Sequence, residues 1–208
     1  MRYIIKEVIP LSGKSFHNKA AVFMDRDGTL NVSNKPDGSY LPVNKPEDLV
    51  LFDQAKDGLA ELTKQTDLLK ILVTNQGGIG AGFMTVEQLK EIDDKMLQDI
   101  RSSGGDIDAI YFASTNDKTD PLRKPNPGML LKAAEEHGID LTKSYMVGDM
   151  TTDISAGEKA DPQVVSIGLE TGSGCKDKKV DIKPDVMVKD FKAAADFIIA
   201  DHNKRCHR

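Results

Sequence analysis

Short apolar runs alternate with longer polar and amphipathic stretches along most of this chain. Strands of a parallel sheet are covered on both faces, so they are apolar almost throughout rather than alternating. Five runs have that composition and the length of a strand: residues 20–24, 68–74, 107–113, 145–147 and 164–167. Between the runs, apolar residues return with helical spacing, as in residues 55–64. The pattern predicts an α/β fold, a three-layer α/β/α Rossmann-like parallel sheet with right-handed crossovers.

Capping residues mark the ends of two predicted helices. Thr85 and Gln88 have the spacing of a capping box, in which each side chain bonds to the backbone of the other residue. Asn126 is predicted to cap a later helix that has Pro127 at its first position and ends before Gly138.

Four other segments lack a helical period. Residues 2–9 are β-branched enough to form an edge strand, whereas residues 75–82 are too rich in glycine for regular structure. Residues 171–184 are rich in glycine and lysine and are predicted to be mobile. The polar stretch 30–52 is long for a plain loop, as functional loops often are, but too short for a cap domain. We expect a single domain over residues 1–208, with no separate cap.

Candidate chemistry collects where the predicted strands end. Asp25 and Asp27 follow the first strand, Thr74 ends the second, and Asp149 follows the fourth. Lys124 lies in a polar loop that comes after the third strand. The carboxyl ends of parallel strands share one edge of the sheet, where open α/β sheets bind ligands, so these side chains are predicted to meet there. Two acids as close as Asp25 and Asp27 repel each other unless a cation or a reaction uses them.

Four short motifs connect these positions. Asp-Arg-Asp-Gly-Thr-Leu occupies residues 25–30, and the strand end Leu-Val-Thr-Asn occupies residues 72–75. Arg-Lys-Pro follows at residues 123–125, and Gly-Asp at residues 148–149 is followed by a further acid, Asp153. In this order the motifs resemble the signatures of the haloacid dehalogenase (HAD) superfamily, most of whose members are Mg²⁺-dependent phosphatases. The resemblance implies a HAD-like sheet and phosphoryl transfer at its edge.

The resemblance also implies which residues react and which bind metal. Asp25 is the candidate nucleophile that forms an aspartyl-phosphate. Asp27 is the candidate general acid and base, serving first the leaving group and then the attacking water. Mg²⁺ is the expected cofactor, held by the carboxylates of Asp25 and Asp149 and by the main-chain carbonyl of Asp27.

Five further residues complete the expected site. The Thr74 hydroxyl and the Asn75 amide are candidates to donate to phosphoryl oxygens, and Lys124 to offset charge in the transition state. Asp153 is expected to support the metal ligands from behind them. Arg123, beside Lys124, is a candidate contact for a second phosphate or a sugar hydroxyl.

Longer matches, at residues 25–31, 74–79 and 123–129, resemble the capless branch of the superfamily. That branch includes phosphatases of heptose bisphosphates and of histidinol phosphate. Many of its members carry a Cys/His zinc loop, but residues 114–122 contain neither Cys nor His, so no structural zinc is expected. Residues 80–82 lack the arginine usual in heptose-type members. The expected substrate is a small phosphorylated metabolite, foremost a sugar phosphate or bisphosphate, with histidinol phosphate as the alternative.

Composition and charge weigh on the remaining alternatives. The 208 residues carry a net charge of −5 and no basic stripe, which disfavours nucleic acid as a partner and polynucleotide 3′-phosphatase as the activity. No apolar run approaches the roughly 20 residues of a membrane span. With only Cys175 and Cys206, a cytoplasmic enzyme is expected. A receiver-like signalling domain or a catalytically silent binding domain would be the non-enzyme alternative, and the oligomeric state stays open.

Overall fold

The computed structural model describes residues 19–33, 39 and 41–206 of the chain. Its strands are β1 Ala21–Met24, β2 Leu69–Asn75, β3 Ala109–Ala113, β4 Tyr145–Gly148, β5 Val165–Leu169 and β6 Val186–Val188. Its helices are α1 Asp53–Gln65, α2 Gly77–Gly80, α3 Val86–Ser102, α4 Gly128–His137, α5 Thr151–Ala160 and α6 Phe191–Cys206. The strands form a parallel sheet in the order β3-β2-β1-β4-β5-β6. All five predicted strands are therefore present.

The central strand β1 is buried on both faces and separates two apolar cores. Val22 and Met24 pack with side chains of α1, α3 and α6, whereas Ala21 and Phe23 pack with side chains of α4 and α5. This alternation follows from the two-residue period of a strand. Outside the sheet and helices, the described residues form connecting loops and two 3₁₀ turns, with no cap domain among them. The prediction of a three-layer α/β/α fold is confirmed.

The direction in which strands are added reverses beside β1. The chain builds β2 and β3 on one side of β1 and then returns to place β4 on the other side. In sheets of this order, ligands bind at the carboxyl ends of the two strands that flank the reversal. Met24 of β1 pairs with Leu72 of β2 and with Val147 of β4, so these strands end at nearly the same level.

One helix cap is confirmed and one is wrong. Thr85 and Gln88 form the predicted capping box, with bonds of 3.2 and 2.8 Å to each other's backbone. At α4 the residue that precedes the helix is Pro127, which offers no side-chain cap. The Asn126 amide instead donates to two main-chain carbonyls of the preceding loop, at 2.8 and 3.1 Å, and so closes that loop. The helix does end before Gly138, which adopts a left-handed conformation and caps it.

Two further predictions and one missed strand concern less regular segments. The glycine-rich stretch 75–82 was expected to be irregular, but it contains the one-turn helix α2. The strand β6 was missed because it has only three residues, none of them buried, at the edge of the sheet. The predicted strand at residues 2–9 lies outside the described residues. None of the helices in the described part of the chain is both long and apolar enough to cross a membrane.

Candidate active site

Asp25 and Asp149 leave the sheet side by side because β1 and β4 are neighbours. The Asp25 amide donates to the Val147 carbonyl at 3.0 Å, so strand pairing continues one residue past β1. Both side chains are buried, with 6% of Asp25 and 1% of Asp149 exposed. Asp149 Oδ2 accepts from the Ser173 amide at 2.6 Å. Its Oδ1 is buried and has no hydrogen-bond partner among the residues that the structure describes.

Two glycines let the backbone close around the Asp149 carboxylate. Gly28 and Gly172 have φ of +92° and +56°, a region that favours glycine. A Cβ on Gly28 or Gly172 would lie 2.5 or 2.2 Å from Asp149 Oδ2, too close for any side chain. Thr171 adds a hydrogen bond to the Gly28 carbonyl at 2.8 Å. The start of the segment 171–184, predicted only as a mobile loop, therefore forms a wall of the site.

Lys124 lies between the Asp25 and Asp153 carboxylates. Its Nζ is 2.7 Å from Asp25 Oδ1, 2.6 Å from Asp153 Oδ1 and 2.8 Å from the Val73 carbonyl. These contacts occupy all three hydrogens of the ammonium group. Burial by itself would lower the pKa of Lys124, but the charges of Asp153 and Asp25 outweigh it and raise that pKa. Lys124 is therefore a fixed positive charge at neutral pH.

The groups that hold Lys124 are themselves fixed. The second oxygen of Asp153, Oδ2, accepts from the Met150 amide at 3.0 Å, so both of its carboxylate oxygens are engaged. The Asn75 amide donates to the Lys124 carbonyl and accepts from the Lys124 main-chain N–H, each at 3.0 Å. The sequence suggested an Asn75 amide that faces a phosphoryl group, whereas here the amide fastens the loop that carries Lys124.

Asp25, Asp149 and Asp153 form a carboxylate cluster with one cation, Lys124. An oxygen of each carboxylate lies within 4.8 Å of the others. Burial raises the pKa of Asp25 to about 7, with Lys124 opposing the rise and Asp153 adding to it. Burial, followed by the charges of Asp153 and Asp25, raises the pKa of Asp149 to about 8. Excess negative charge and an unpartnered buried oxygen on Asp149 fit a hard divalent cation such as Mg²⁺.

Asp27 has the opposite surroundings, because hydrogen-bond donors enclose it. The Arg26 guanidinium lies 3.0 Å from Asp27 Oδ2 and 3.3 Å from Oδ1. The Asn31 amide donates to Oδ1 at 3.1 Å, and the Gln76 amide donates to Oδ2 at 3.0 Å. Burial alone would raise the pKa of Asp27, but the Arg26 charge and these hydrogen bonds hold the pKa below its usual value. Asp27 is therefore ionised at neutral pH.

Two neighbours extend the surroundings of Asp27. Arg26 is 1% exposed, and its Nη1 lies 3.6 Å from Asp93 of α3. Burial raises the pKa of Asp93 to about 6, although the Arg26 charge opposes the rise. Thr74, the predicted donor to phosphoryl oxygens, accepts a 2.8 Å hydrogen bond at Oγ1 from Gln76. The Gln76 amide therefore contacts both Asp27 and Thr74.

Sequence reasoning did not assign roles to Arg26, Asn31, Gln76 or Ser173. The first three lie inside the longer matches at residues 25–31 and 74–79, either directly beside Asp27 or Asn75 or at the end of the first match. Position next to a candidate acid was the signal that could have found them. Ser173 acts through its backbone N–H, and nothing in a residue type predicts that contact.

Arg123 and Lys124 are consecutive, but their side chains bond to different groups. Its Nη1 donates to the Thr115 carbonyl at 2.6 Å, so the guanidinium is anchored to the loop that precedes it. The side chain is only part-buried, unlike that of Lys124. Arg123 is thus a part-buried cation on the loop that carries Lys124, and its hydrogen bond is not to the carboxylate cluster.

Comparisons with known proteins decide the family. D-glycero-β-D-manno-heptose-1,7-bisphosphate 7-phosphatase of Yersinia pestis is 39% identical over 144 residues, 65% of this chain and 73% of that enzyme. The D-glycero-α-D-manno-heptose-1,7-bisphosphate 7-phosphatase of Burkholderia mallei is 36% identical over 148 residues, 67% of this chain and 75% of that enzyme. The chain belongs to the HAD superfamily. These relatives place it among the phosphatases of that superfamily, which are phosphoric monoester hydrolases.

Two further comparisons agree with HAD membership. The model of the HAD-hydrolase-like family matches residues 121–194. The crystal structure of the D,D-heptose 1,7-bisphosphate phosphatase from B. bronchiseptica, complexed with magnesium and phosphate, superposes with a TM-score of 0.78 at 28% identity. That match covers 88% of this chain and 99% of the other. The match supports the predicted HAD-like fold of the sheet.

Proposed function

We propose that this HAD phosphatase is Mg²⁺-dependent and hydrolyses a sugar bisphosphate of the heptose 1,7-bisphosphate type. The observation that carries the proposal is the buried cluster of Asp25, Asp149 and Asp153 around Lys124, with one Asp149 oxygen left without a hydrogen-bond partner. The names of the relatives supply the substrate class. The same proposal includes a single domain over residues 1–208.

The described residues can hold the cation without rearrangement of their hydrogen bonds. Asp149 Oδ1 and the Asp25 oxygen that does not contact Lys124 are the available carboxylate ligands. No hydrogen bond among the described residues takes the Asp27 carbonyl oxygen, which supports its expected place as a third ligand. Asp153 uses both oxygens elsewhere and is assigned to positioning Lys124. When bound, the cation would offset the repulsion between the Asp25 carboxylate and an anionic phosphate.

In the first step, the Asp25 carboxylate attacks phosphorus and the bond to the leaving oxygen breaks. Asp27 gives the leaving oxygen a proton, and the product of this step is an aspartyl-phosphate at Asp25. In the second step, Asp27 takes a proton from water, which attacks phosphorus and releases Asp25. Lys124 and the Thr74 hydroxyl stabilise the charge on the phosphoryl oxygens in both steps.

Asp27 must take up a proton when the substrate binds. Asp27 is ionised in the ligand-free protein because its surroundings hold the pKa below the usual value. A phosphate that binds beside it brings negative charge, which raises the pKa and favours uptake of a proton. The same carboxylate can then act as an acid in the first step and as a base in the second.

Arg123 supports the choice of a bisphosphate. A part-buried guanidinium on the loop that carries Lys124 can bind an anionic or hydroxyl-rich group in a forked contact. The amine of histidinol phosphate would gain nothing from that charge, and the net charge of −5 disfavours a polynucleotide. A cytoplasmic site of action is part of the proposal, because Cys175 and Cys206 are both free.

Steady-state kinetics on four substrates test the proposal. We expect the highest kcat/KM for a heptose 1,7-bisphosphate, compared with monophosphorylated sugars, histidinol phosphate and a 3′-phosphorylated oligonucleotide. Both anomers of the bisphosphate should be included, because the relatives differ in the anomer that their names give. Histidinol phosphate or the oligonucleotide as the best substrate would contradict the sugar assignment.

Arg123→Ala tests the recognition role within the same assay. The variant should lose about tenfold in kcat/KM for the bisphosphate and little for p-nitrophenyl phosphate, which has no second anionic group. Equal losses on both substrates would remove Arg123 from substrate recognition. Lys118→Ala, which removes an exposed cation from the same loop, is the matched control.

A further inference from the structure

The side-chain amide of Gln76 contacts two of the proposed reacting groups at once. Gln76 is 6% exposed, and its Nε2 donates to Asp27 Oδ2 at 3.0 Å and to Thr74 Oγ1 at 2.8 Å. An amide nitrogen carries two hydrogens, so each has one acceptor. The flipped amide would set Oε1 against the Asp27 carboxylate, and the repulsion between the two acceptors excludes it. The orientation of Gln76 is therefore fixed by charge.

We propose that Gln76 is a positioning residue that holds the Asp27 carboxylate and sets the direction of the Thr74 hydroxyl. The inference rests on the proposed phosphatase function and adds a residue to it. It concerns a side chain that follows β2, two residues after Thr74 and one after Asn75.

Gln76 gives Asp27 its only described side-chain contact from another strand end. The other donors, Arg26 and Asn31, belong to the turn that carries Asp27 itself. The turn itself is held from outside by β4, by Asp93 of α3 and by Thr171. None of those contacts joins the Asp27 side chain to the end of β2. The hydrogen bond from Gln76 fixes the Asp27 carboxylate relative to the end of β2. It holds the proton donor at a fixed position relative to the strand that also carries Thr74.

The same amide decides where the Thr74 proton points. Thr74 Oγ1 accepts from Gln76, so its own hydrogen must point in another direction. Among residues 19–33, 39 and 41–206, the structure records no acceptor for that hydrogen. Thr74 is 1% exposed at the site edge of β2, where a phosphoryl oxygen would be the acceptor. Gln76 thus keeps Thr74 available as a donor rather than as a second acceptor.

The dependence of rate on the leaving group separates this role from a general structural one. Gln76→Met removes both donors and keeps the length of the side chain. The Gln76 main-chain N–H still bonds to the Ala113 carbonyl at 2.8 Å, so the backbone has no reason to move. We expect kcat/KM to fall by about 10²-fold for alkyl phosphates, whose leaving groups need a proton. For p-nitrophenyl phosphate the loss should be only a few-fold, so kcat/KM becomes steeper in leaving-group pKa.

Two double-mutant cycles assign the effect to its partners. In an Asp27→Asn background, Gln76→Met should add less than about threefold on alkyl phosphates, because the group it positions is gone. In a Thr74→Val background, the remaining few-fold loss on p-nitrophenyl phosphate should vanish. Additive losses in either cycle would overturn the corresponding half of the proposal. Gln163→Met, the same change at an exposed position, is the control and should behave as wild type.

A second variant covers the case in which Gln76→Met does not fold, as judged by thermal unfolding. Gln76→Glu keeps the shape and places an acceptor against Asp27, and it should also steepen the leaving-group dependence. An active variant with the wild-type slope would overturn the role of Gln76 while leaving the phosphatase function standing. A wild-type chain that hydrolyses none of the phosphates would overturn both.

Discussion

Asp25 and Asp27 are two residues apart, but their surroundings differ in net charge: negative charge is in excess around Asp25, and positive and hydrogen-bond donor groups surround Asp27. The nucleophile cluster consists of Asp25, Asp149, Asp153 and Lys124, three acids that share one cation. Burial and mutual repulsion raise the pKa of Asp25 to about 7 and that of Asp149 to about 8. Such a group of carboxylates lacks a positive charge, which a bound cation would supply.

The acid–base cluster consists of Asp27 with Arg26, Asn31 and Gln76. Here one acid meets a guanidinium and two amides, and its pKa lies below the usual value. The two clusters use the same residue type, aspartate, at positions 25 and 27, and Asp25 is buried whereas the Asp27 side chain is 16% exposed. In the proposed mechanism, these different partners suit Asp25 to attack phosphorus and Asp27 to move protons.

The largest effect should come from removing the nucleophile. Asp25→Asn keeps the shape of the side chain, loses the attacking oxygen and should lower kcat by at least about 10⁴-fold on every phosphate ester. Phosphate release from p-nitrophenyl phosphate measures the loss, and thermal unfolding checks that the fold persists. A variant with near wild-type turnover would assign the attack to another group.

Asp27→Asn should have the next largest effect, and it should depend on the leaving group. General acid–base catalysis typically contributes about 10²–10⁴-fold, so a loss in that range is expected for a sugar phosphate. The loss should be smaller for p-nitrophenyl phosphate, because nitrophenolate leaves without a proton. Comparison of kcat/KM for the two substrates checks this. Equal losses of kcat/KM on the two substrates would show that Asp27 does not protonate the leaving group, and would contradict its assignment to the acid–base cluster.

The third prediction concerns the pH dependence of Mg²⁺ binding. The pKa of Asp25 and of Asp149 is raised in the metal-free protein, so each carries a proton in part at neutral pH, and a cation must displace it. Affinity for Mg²⁺ should therefore rise from pH 6 to pH 8, by up to about tenfold per pH unit for each proton displaced. Asp27, with its lowered pKa, should contribute nothing over this range.

Calorimetric titrations with Mg²⁺ in two buffers of different ionisation enthalpy count the released protons. Asp149→Asn should bind the cation weakly and release fewer protons than the wild type. A Mg²⁺ affinity that does not change between pH 6 and pH 8 would show that the free carboxylates are already ionised. Chelation with EDTA should abolish phosphatase activity, and added Mg²⁺ should restore it.

The sequence predicted the strands and the nucleophile cluster because both follow from position along the chain. A buried run marks a strand, and parallel strands bring their ends to one edge, so Asp25, Thr74, Lys124 and Asp149 could be placed together without coordinates. The same logic missed β6, whose three residues give no pattern.

The acid–base cluster was not predicted because its contacts depend on side-chain direction. Gln76 bonds both to Asp27 and to Thr74, two residues before it, whereas Asn75 between them bonds to Lys124. The two-residue period of a strand predicts that Asn75 points to the opposite face from Thr74 and Gln76. It does not predict which residues each side chain contacts. The backbone donor of Ser173 was likewise invisible, since loop geometry, and not residue type, brings that N–H to Asp149.

The smallest expected effect comes from Asn75. It holds the backbone of Lys124 in the nucleophile cluster, as its neighbour Gln76 holds Asp27 in the acid–base cluster. Asn75→Ala removes two hydrogen bonds of 3.0 Å to the Lys124 backbone, each worth about 1 kcal/mol net. Lys124 Nζ keeps its carboxylate contacts, so the ammonium should be less well placed rather than lost. We expect kcat/KM to fall about tenfold.

The form of that loss distinguishes the two neighbours. In the proposed mechanism Lys124 offsets charge on the phosphoryl group, which every phosphate ester shares. Asn75→Ala should therefore lower kcat/KM for sugar phosphates and for p-nitrophenyl phosphate by the same factor. Gln76→Met should instead cost the sugar phosphate more. Asn203→Ala, at an exposed position of α6, controls for loss of an amide as such. A leaving-group dependence in Asn75→Ala would mean that the two clusters are coupled through β2, and the division between them would no longer hold.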